Sequence, residues 1–513
     1  MNKLLTRRDF LNHVGMASAG LGLLAQARAG NAKPAADAHS LVMVDPAPQF
    51  ELSPYLYMQF MEPLGSTDGS VAAAWDYQHN CWRKDVVQVT QQLAPPLMRW
   101  GGCLSSYYRW KETVGPRTQR VPMHNLLWGG MEDNRVGTVE FVDFCRQVNA
   151  ESLMCVNFES DGRRPWMQDP DGRPRCAGPE EAAEWVAYCN QPNHAMRCAH
   201  GIKEPCTIRF WQVGNETSYD RSGFDIETAA QKTVAFARAM RQSDPNISLI
   251  GWGDSGWGRR MIEIAGEHLQ FIAFHHMWGS RFKGSVLRDN EYRKDPARTW
   301  EQLMAMWRPH EEKIKVMREQ LAGSKTSLAL TECHLGLPGR NRCDVLSSWA
   351  AGVAMARVLN VHERHGDVLK IATAADFCGT RWQVNAVIIP TPTGKAFMMP
   401  VARVMSLYRH HMGRQAVKVA HCPDALDITA SRTGNRLYLH VVNTHRTRSM
   451  DMRLQVQGMA LKDGKVFEIA ADPEFEIMQT CPDAFTPKER PFKLDGAWTV
   501  PAASVSAFEL ELA

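Results

Sequence analysis

The chain has 513 residues, 44% of them hydrophobic and 22% charged, with a formal net charge of +4. That length exceeds one ordinary domain and favours a large barrel with a smaller companion. The small net charge and the lack of a Lys/Arg run exclude a nucleic-acid footprint, and the lack of a fixed-period repeat excludes a solenoid.

The first residues read as a targeting segment. Thr6-Arg7-Arg8-Asp9-Phe10-Leu11 is a twin-arginine motif, Val14 to Leu24 is weakly apolar, and Ala27-Arg28-Ala29 is a small-x-small cleavage signal. The apolar stretch is too short to span a bilayer stably, and no other span is expected. Residues 1–29 are therefore expected to direct twin-arginine export, leaving a soluble periplasmic or secreted protein.

Leu41 to Phe50 reads as an isolated strand. From Tyr55 a βα alternation begins. Strands are expected at Tyr55–Met61, Leu97–Trp100, Leu153–Phe158, Ile208–Val213, Leu249–Gly251, Phe271–Phe274, Ser327–Leu330 and Leu369–Ala372. Helix-period segments such as Val139–Cys145 and Thr228–Met240 separate them. Eight such units predict a (β/α)8 TIM barrel over 51–400. Beyond Val401 short alternating strands replace the helices, which predicts a C-terminal β-sandwich over 401–513, joined by the segment 30–50.

The 13 cysteines are an odd number, so they cannot all pair within the chain. Cys176, Cys189, Cys198 and Cys206, with His194 and His200, cluster in one loop-rich segment without a C-x2-C pair. Zinc, a disulfide and free thiols are all readings of that cluster.

The fourth and seventh expected strands each stop at a carboxylate. Ile208 to Asn215 leads to Glu216, and Ser327 to Thr331 leads to Glu332. A barrel places its chemistry at the C-terminal ends of its strands. Cleaving a sugar acetal needs an acid for the leaving oxygen and a carboxylate opposite to trap the oxocarbenium-like centre. Glu216 also reads as a turn acid, since Gly-Asn is a turn dipeptide, and Glu332 as a helix-start acid.

Further landmarks follow in order: Phe60-Met61-Glu62; Met98-Arg99-Trp100-Gly101-Gly102 with Trp110 and Gly115-Pro116; Gly137-Thr138-Val139-Glu140-Phe141; Trp211-Gln212-Val213-Gly214-Asn215-Glu216; and Thr331-Glu332-Cys333. Together they resemble the glycoside hydrolase family 51 α-L-arabinofuranosidases, retaining enzymes of clan A, across most of the mature chain. The resemblance implies Glu216 as general acid/base, with a raised pKa, and Glu332 as nucleophile. It implies Asn215 on the sugar's 2-hydroxyl, Glu62 and Arg99 on the other hydroxyls, and His275 near the nucleophile. Trp100, Trp252, Trp278 and Trp382 follow expected strands and are candidate sugar platforms, Trp278 foremost.

The departures are local. The family's Pro-Gly-Gly-Asn stands here as Trp100-Gly101-Gly102-Cys103, the tyrosines after His275 are replaced by His276, Met277 and Trp278, and Thr331 and Cys333 replace Asp and Trp beside the nucleophile. The expectation is an exported retaining α-L-arabinofuranosidase-like glycosidase without metal or organic cofactor. Its partner is a carbohydrate, and assembly into a homo-oligomer is left open. The same chemistry on a galactofuranoside, xyloside or β-glucan is the alternative. A metal or redox enzyme and a non-catalytic carbohydrate-binding protein on this fold are the rival classes.

Overall fold

The computed structural model describes residues 40–513 apart from 65–66, 280–283, 337–341 and 493–494. The targeting segment expected at 1–29 lies outside the described residues. Strand β1 (Leu41–Glu51) pairs antiparallel with Gln415–His421 and parallel with Met450–Val456, so it sits inside the C-terminal sheet.

The barrel strands are β2 (Gln59–Met61), β3 (Leu97–Trp100), β4 (Glu151–Val156), β5 (Phe210–Val213), β6 (Ser248–Trp252), β7 (Phe271–Trp278), β8 (Ser327–Leu335) and β9 (Leu369–Ala372), each bonded to the next. Met58 N donates to Ala372 O at 2.9 Å and closes the ring. The fold is the expected TIM barrel. The front half of the expected first strand is instead a 3-10 turn over Pro54–Tyr57, because Pro54 favours a first helical position and Ser53 Oγ accepts from Tyr55 N at 3.2 Å.

Inside the barrel the strands stack their side chains in layers. The lower layer is apolar: Leu97, Leu153, Phe210, Ile250, Ala273, Ala329 and Ile371 pack together with Met58. Two residues further along each strand the same inward face becomes Arg99, Cys155, Gln212, Trp252 and His275. The period of 2 along a strand thus lifts the chemistry one layer above a dry floor.

The helical layer includes α1 (Thr138–Gln147), α2 (Ile226–Ser243), α3 (Trp307–Gln320) and α4 (Trp349–Arg364). Their starts reflect local chemistry. Glu140 reaches back to the Gly137 N–H at 2.9 Å, and Asp225 caps α2 by accepting from Thr228 N at 2.8 Å.

The C-terminal sheet adds β10 (Gln415–His421), β11 (Leu426–Thr433), β12 (Arg436–Asn443), β13 (Met450–Val456), β14 (Leu461–Ala470), β15 (Lys488–Pro491), β16 (Ala497–Val500) and β17 (Ser504–Leu512), in the order β15-β14-β17-β12-β11-β10-β1-β13-β16. Its two ends return to each other, since Phe492 after β15 stacks on Trp498 of β16 at 5.9 Å. The sheet therefore folds over a core of its own that contains Val42, Leu437, Leu439, Val441 and Phe508. Its other face, including Val442, Val505 and Ala507, is continuous with the barrel's core. The residues just past 400 are not strand but a helix, Pro400–His410, opened by a proline at its first position.

The sheet is bolted to α4 by charge. Asp427 of β11 accepts from Arg357 at 2.9 Å, Asn360 at 3.0 Å and Arg364 at 2.7 Å. Glu363 of α4 meets His440 of β12 at 2.9 Å and Tyr57 at 2.5 Å.

Candidate active site

Glu216 stands just beyond β5 on a turn that its own backbone resists. Gly214 has φ +84 and Glu216 φ +53, both left-handed, and a Cβ on Gly214 would press on Thr217 Oγ1 at 2.7 Å. The turn is held by the loop after β4. Asp161 accepts from Asn215 N at 3.3 Å, from Ser106 Oγ at 2.5 Å and from Thr217 Oγ1, while Arg163 donates to the Glu216 carbonyl. A non-glycine residue held at positive φ by several bonds marks a position the surrounding structure over-determines.

Glu332 lies within β8 rather than at its end, because β8 runs on to Leu335. A register shift between β7 and β8 skips Thr331 and sets His275 opposite Glu332. This irregularity re-aims the carboxylate into the barrel mouth.

His275 joins the two carboxylates. Its Nδ1 lies 3.1 Å from Glu216 Oε1 and 3.7 Å from Glu332 Oε2, and its Nε2 lies 3.0 Å from Thr331 Oγ1. One oxygen of each glutamate and one His275 ring nitrogen all fall within 4.8 Å of one another. Such a donor set has the spacing of a metal site, but Arg99 already supplies the positive charge: its Nη1 is 2.9 Å from Glu332 Oε1. The fully buried Arg99 also donates to Gln212 Oε1 at 2.9 Å and Asn215 Oδ1 at 2.6 Å. Asn215 Nδ2 is buried without a partner.

These groups floor a cavity of about 690 Å³ lined by Glu62, Cys103, Glu216, Glu332, His334 and Asp376, with Leu127, Trp128, Met277 and Trp382 on its walls. Glu62 accepts from Leu104 N at 3.1 Å. A Cβ on Gly102 would overlap its carboxyl, which accounts for glycine there. Cys103 Sγ donates to Glu216 Oε2 at 3.1 Å, and His334 Nδ1 pairs with Asp376 Oδ1 at 2.6 Å.

The carboxyls titrate unequally. Burial pushes Glu332 up, and Glu216 adds to the rise, against the opposing pull of His275 and Arg99. Burial and the neighbouring Glu332 push Glu62 well up. Burial also favours a high value for Glu216, but the hydrogen bond and charge of His275 and the Cys103 thiol outweigh it and hold the group below the ordinary glutamate range. This corrects the expectation of a raised Glu216. Its ionised form already has two donors aimed at it.

Six of the seven expected site residues, Glu62, Arg99, Asn215, Glu216, His275 and Glu332, converge at this mouth. Trp278 does not. Its indole stacks on His310 at 4.7 Å and donates to Met306 O at 2.9 Å, packed in the wall outside the cavity. The alternation along β7 gives the reason: His275 and Met277 face the mouth, so His276 and Trp278 face away. Of the other candidate tryptophans, Trp382 lines the cavity, while Trp100 and Trp252 are almost fully buried in packing. Asp161, Arg163, His334 and Asp376 are site residues that the sequence does not single out, and Cys103 is singled out there only as the residue that replaces the family's Asn. His334, two residues past Glu332, is reachable by the strand period, whereas Asp161 follows β4 and Asp376 opens a short strand, Asp376–Gly379, past β9. The cluster Cys176, Cys189, Cys198 and Cys206 consists of free thiols.

Comparison with known proteins supplies relatives. Residues 89–294 match the model of an α-L-arabinofuranosidase 1 domain, and residues 341–504 that of an α-L-arabinofuranosidase C-terminal domain. An intracellular exo-α-(1→5)-L-arabinofuranosidase of Acetivibrio thermocellus is 30% identical over 249 residues, which is 45% of this chain and 46% of that protein. The match thus spans just under half of that relative's length. The family 51 α-L-arabinofuranosidase of Bifidobacterium longum superposes over 92% of this chain and 99% of its own, with a TM-score of 0.75 at 20% identity. An arabinose complex of the Thermotoga maritima α-L-arabinofuranosidase superposes over 92% of this chain and 100% of its own, with a TM-score of 0.70 at 23% identity.

Proposed function

We propose, from the premise that the chain belongs to the α-L-arabinofuranosidase family as a divergent GH51-like member, that it is a retaining glycoside hydrolase acting on terminal α-L-arabinofuranosyl residues. One observation carries the reading: two carboxylates from the fourth and seventh barrel strands face each other across the cavity floor, with an oxygen of each within 4.8 Å of the other. A retaining mechanism calls for carboxyls about 5–5.5 Å apart, whereas an inverting one leaves room for a water, at about 6.5–9.5 Å.

In the first step Glu216 protonates the leaving oxygen as Glu332 Oε attacks the anomeric carbon, giving a glycosyl-enzyme ester and a free alcohol. In the second, Glu216 takes a proton from water, the water oxygen bonds to the anomeric carbon and Glu332 leaves. His275 Nδ1, 3.1 Å from Glu216 Oε1, positions that carboxyl. Arg99 pairs with Glu332 and orients it, and the unpartnered Asn215 Nδ2 is free to donate to a sugar hydroxyl. Glu62, kept protonated by burial, can donate to another hydroxyl as well as accept from it.

Hydrolysis of 4-nitrophenyl α-L-arabinofuranoside, beside a panel of other aryl furanosides and pyranosides, tests this. We expect the arabinofuranoside to be turned over and Glu332→Gln to abolish that turnover. Silence on every sugar in the panel would sink the reading. Turnover of a galactofuranoside or xyloside alone would keep the mechanism and replace the sugar.

We also propose that the chain is exported by the twin-arginine route. The relative from Acetivibrio thermocellus is named intracellular, so the Arg7-Arg8 pair carries this reading alone. Expressed in a bacterium with a twin-arginine system, the full chain should reach the periplasm or medium, and changing both arginines to lysine should leave it in the cytoplasm. Equal export of both would contradict the proposal.

A further inference from the structure

Behind the wall that carries Glu332 lies a second cluster, and the cavity does not reach it. Side chains alternate along a strand. As His275 and Glu332 face the barrel mouth, their neighbours His276 and Cys333 face outward into the helical layer. There they meet His310 of α3 and His362 of α4. His310, Cys333 and His362 are all essentially inaccessible, at 0%, 0% and 1% exposure. One donor atom from each lies within 4.8 Å of the others.

The hydrogen bonding of this cluster is incomplete. His310 Nε2 faces His362 Nε2 at 2.8 Å, and His310 Nδ1 faces His276 Nδ1 at 3.0 Å. Two imidazole nitrogens at that separation need a positive centre between them, either a proton or a metal ion. A proton would account for the pair alone. It leaves His362 Nδ1 buried with no partner, and it gives the Cys333 thiol no bond among the described residues. Unsatisfied polar atoms in a dry core cost on the order of 1–3 kcal/mol each.

We propose that His310, Cys333 and His362 form a buried centre for one thiophilic d10 metal ion. Two imidazoles and a thiolate are the donors such ions select. His310 Nδ1–H donating to His276 Nδ1 fixes the tautomer that presents Nε2 as ligand, the usual outer partner of a metal-bound histidine. Metal–nitrogen bonds of about 2.0 Å ask the two facing nitrogens to part by on the order of half an ångström. Binding deprotonates Cys333 and releases that proton to solvent. Charge favours monovalent copper, which makes a neutral three-coordinate centre with one thiolate, whereas zinc leaves a net positive charge in an apolar wall and seeks a fourth ligand. The ion would tie β7, β8, α3 and α4 together one residue from Glu332. None of this rests on the glycosidase reading.

The test is metal content, not activity. The full-length protein, purified without a histidine tag from cells supplied with copper or zinc, is analysed by elemental mass spectrometry beside Cys333→Ser. X-ray absorption at the edge of the bound metal reads its ligands in the wild type, so the result stands even if the variant fails to fold. We expect one equivalent of copper per chain, a shell of one sulfur with nitrogens, and loss of the metal in a folded Cys333→Ser. One equivalent of zinc with the same shell would support the centre and change the ion. Less than about a tenth of an equivalent of either metal, a shell without sulfur, or full retention by folded Cys333→Ser would overturn the proposal.

Discussion

Cys103 sets the protonation balance at the residue scale. Its thiol is pushed well above the usual range by burial and by the carboxylates around it, so it stays protonated and acts only as a donor. A donor aimed at Glu216 Oε2 favours the ionised carboxylate. Removing it in Cys103→Ala must therefore raise the Glu216 pKa. In the proposed mechanism the acid form of Glu216 governs the alkaline limb of kcat/KM, so that limb should move to higher pH, by about half to one unit for a bond of about 1 kcal/mol. A pH profile on an aryl glycoside would show it. An unmoved limb, or one moved downward, would refute this role.

At the scale of elements, the contact between α4 and the C-terminal sheet rests on two buried carboxylates. Burial opposes ionisation of Asp427 and of Glu363. For Asp427, the Arg364 and Arg357 guanidiniums win and lower its pKa. For Glu363, His440, Thr429 and Tyr57 do the same. Both folded values lie below the unfolded value of about 4, so their stabilisation is complete above that pH and is lost as pH falls through the folded values. Asp427→Asn should cost about 2–3 kcal/mol at neutral pH, because two partly buried arginines lose their counter-ion. It should also lose less stability than the wild type on acidification. Denaturant melts at neutral pH and at about pH 3 would check both effects, and an equal acid loss in the two proteins would contradict this account. Glu62 and Asp161, whose values burial raises, titrate in the opposite sense in both proteins and cancel from the comparison.

At the scale of the whole molecule, the barrel is legible in the sequence because each strand is a short apolar run and each helix an amphipathic one. Glu216 and Glu332 are legible because both carboxylates interrupt such runs. What escapes is non-local. The pairing of Glu216 with Cys103 joins residues from different strand ends, and the Asp161 strap and the His334–Asp376 pair close only in three dimensions. Trp278 is misplaced for a simpler reason: proximity to a strand end is a weaker guide than the alternation that turns its side chain away. The lowered Glu216 pKa cannot be read from burial alone, because its donors arrive from other elements.

In the proposed mechanism Glu332 is the group that bonds to the sugar. The direct measurement is trapping in Glu216→Ala, where an activated aryl arabinofuranoside still forms the ester but its hydrolysis lacks a base. Intact-protein mass spectrometry should show one added pentosyl unit, and peptide mapping should place it on Glu332. Turnover with no adduct on Glu332, or an adduct on any other residue, would contradict the account.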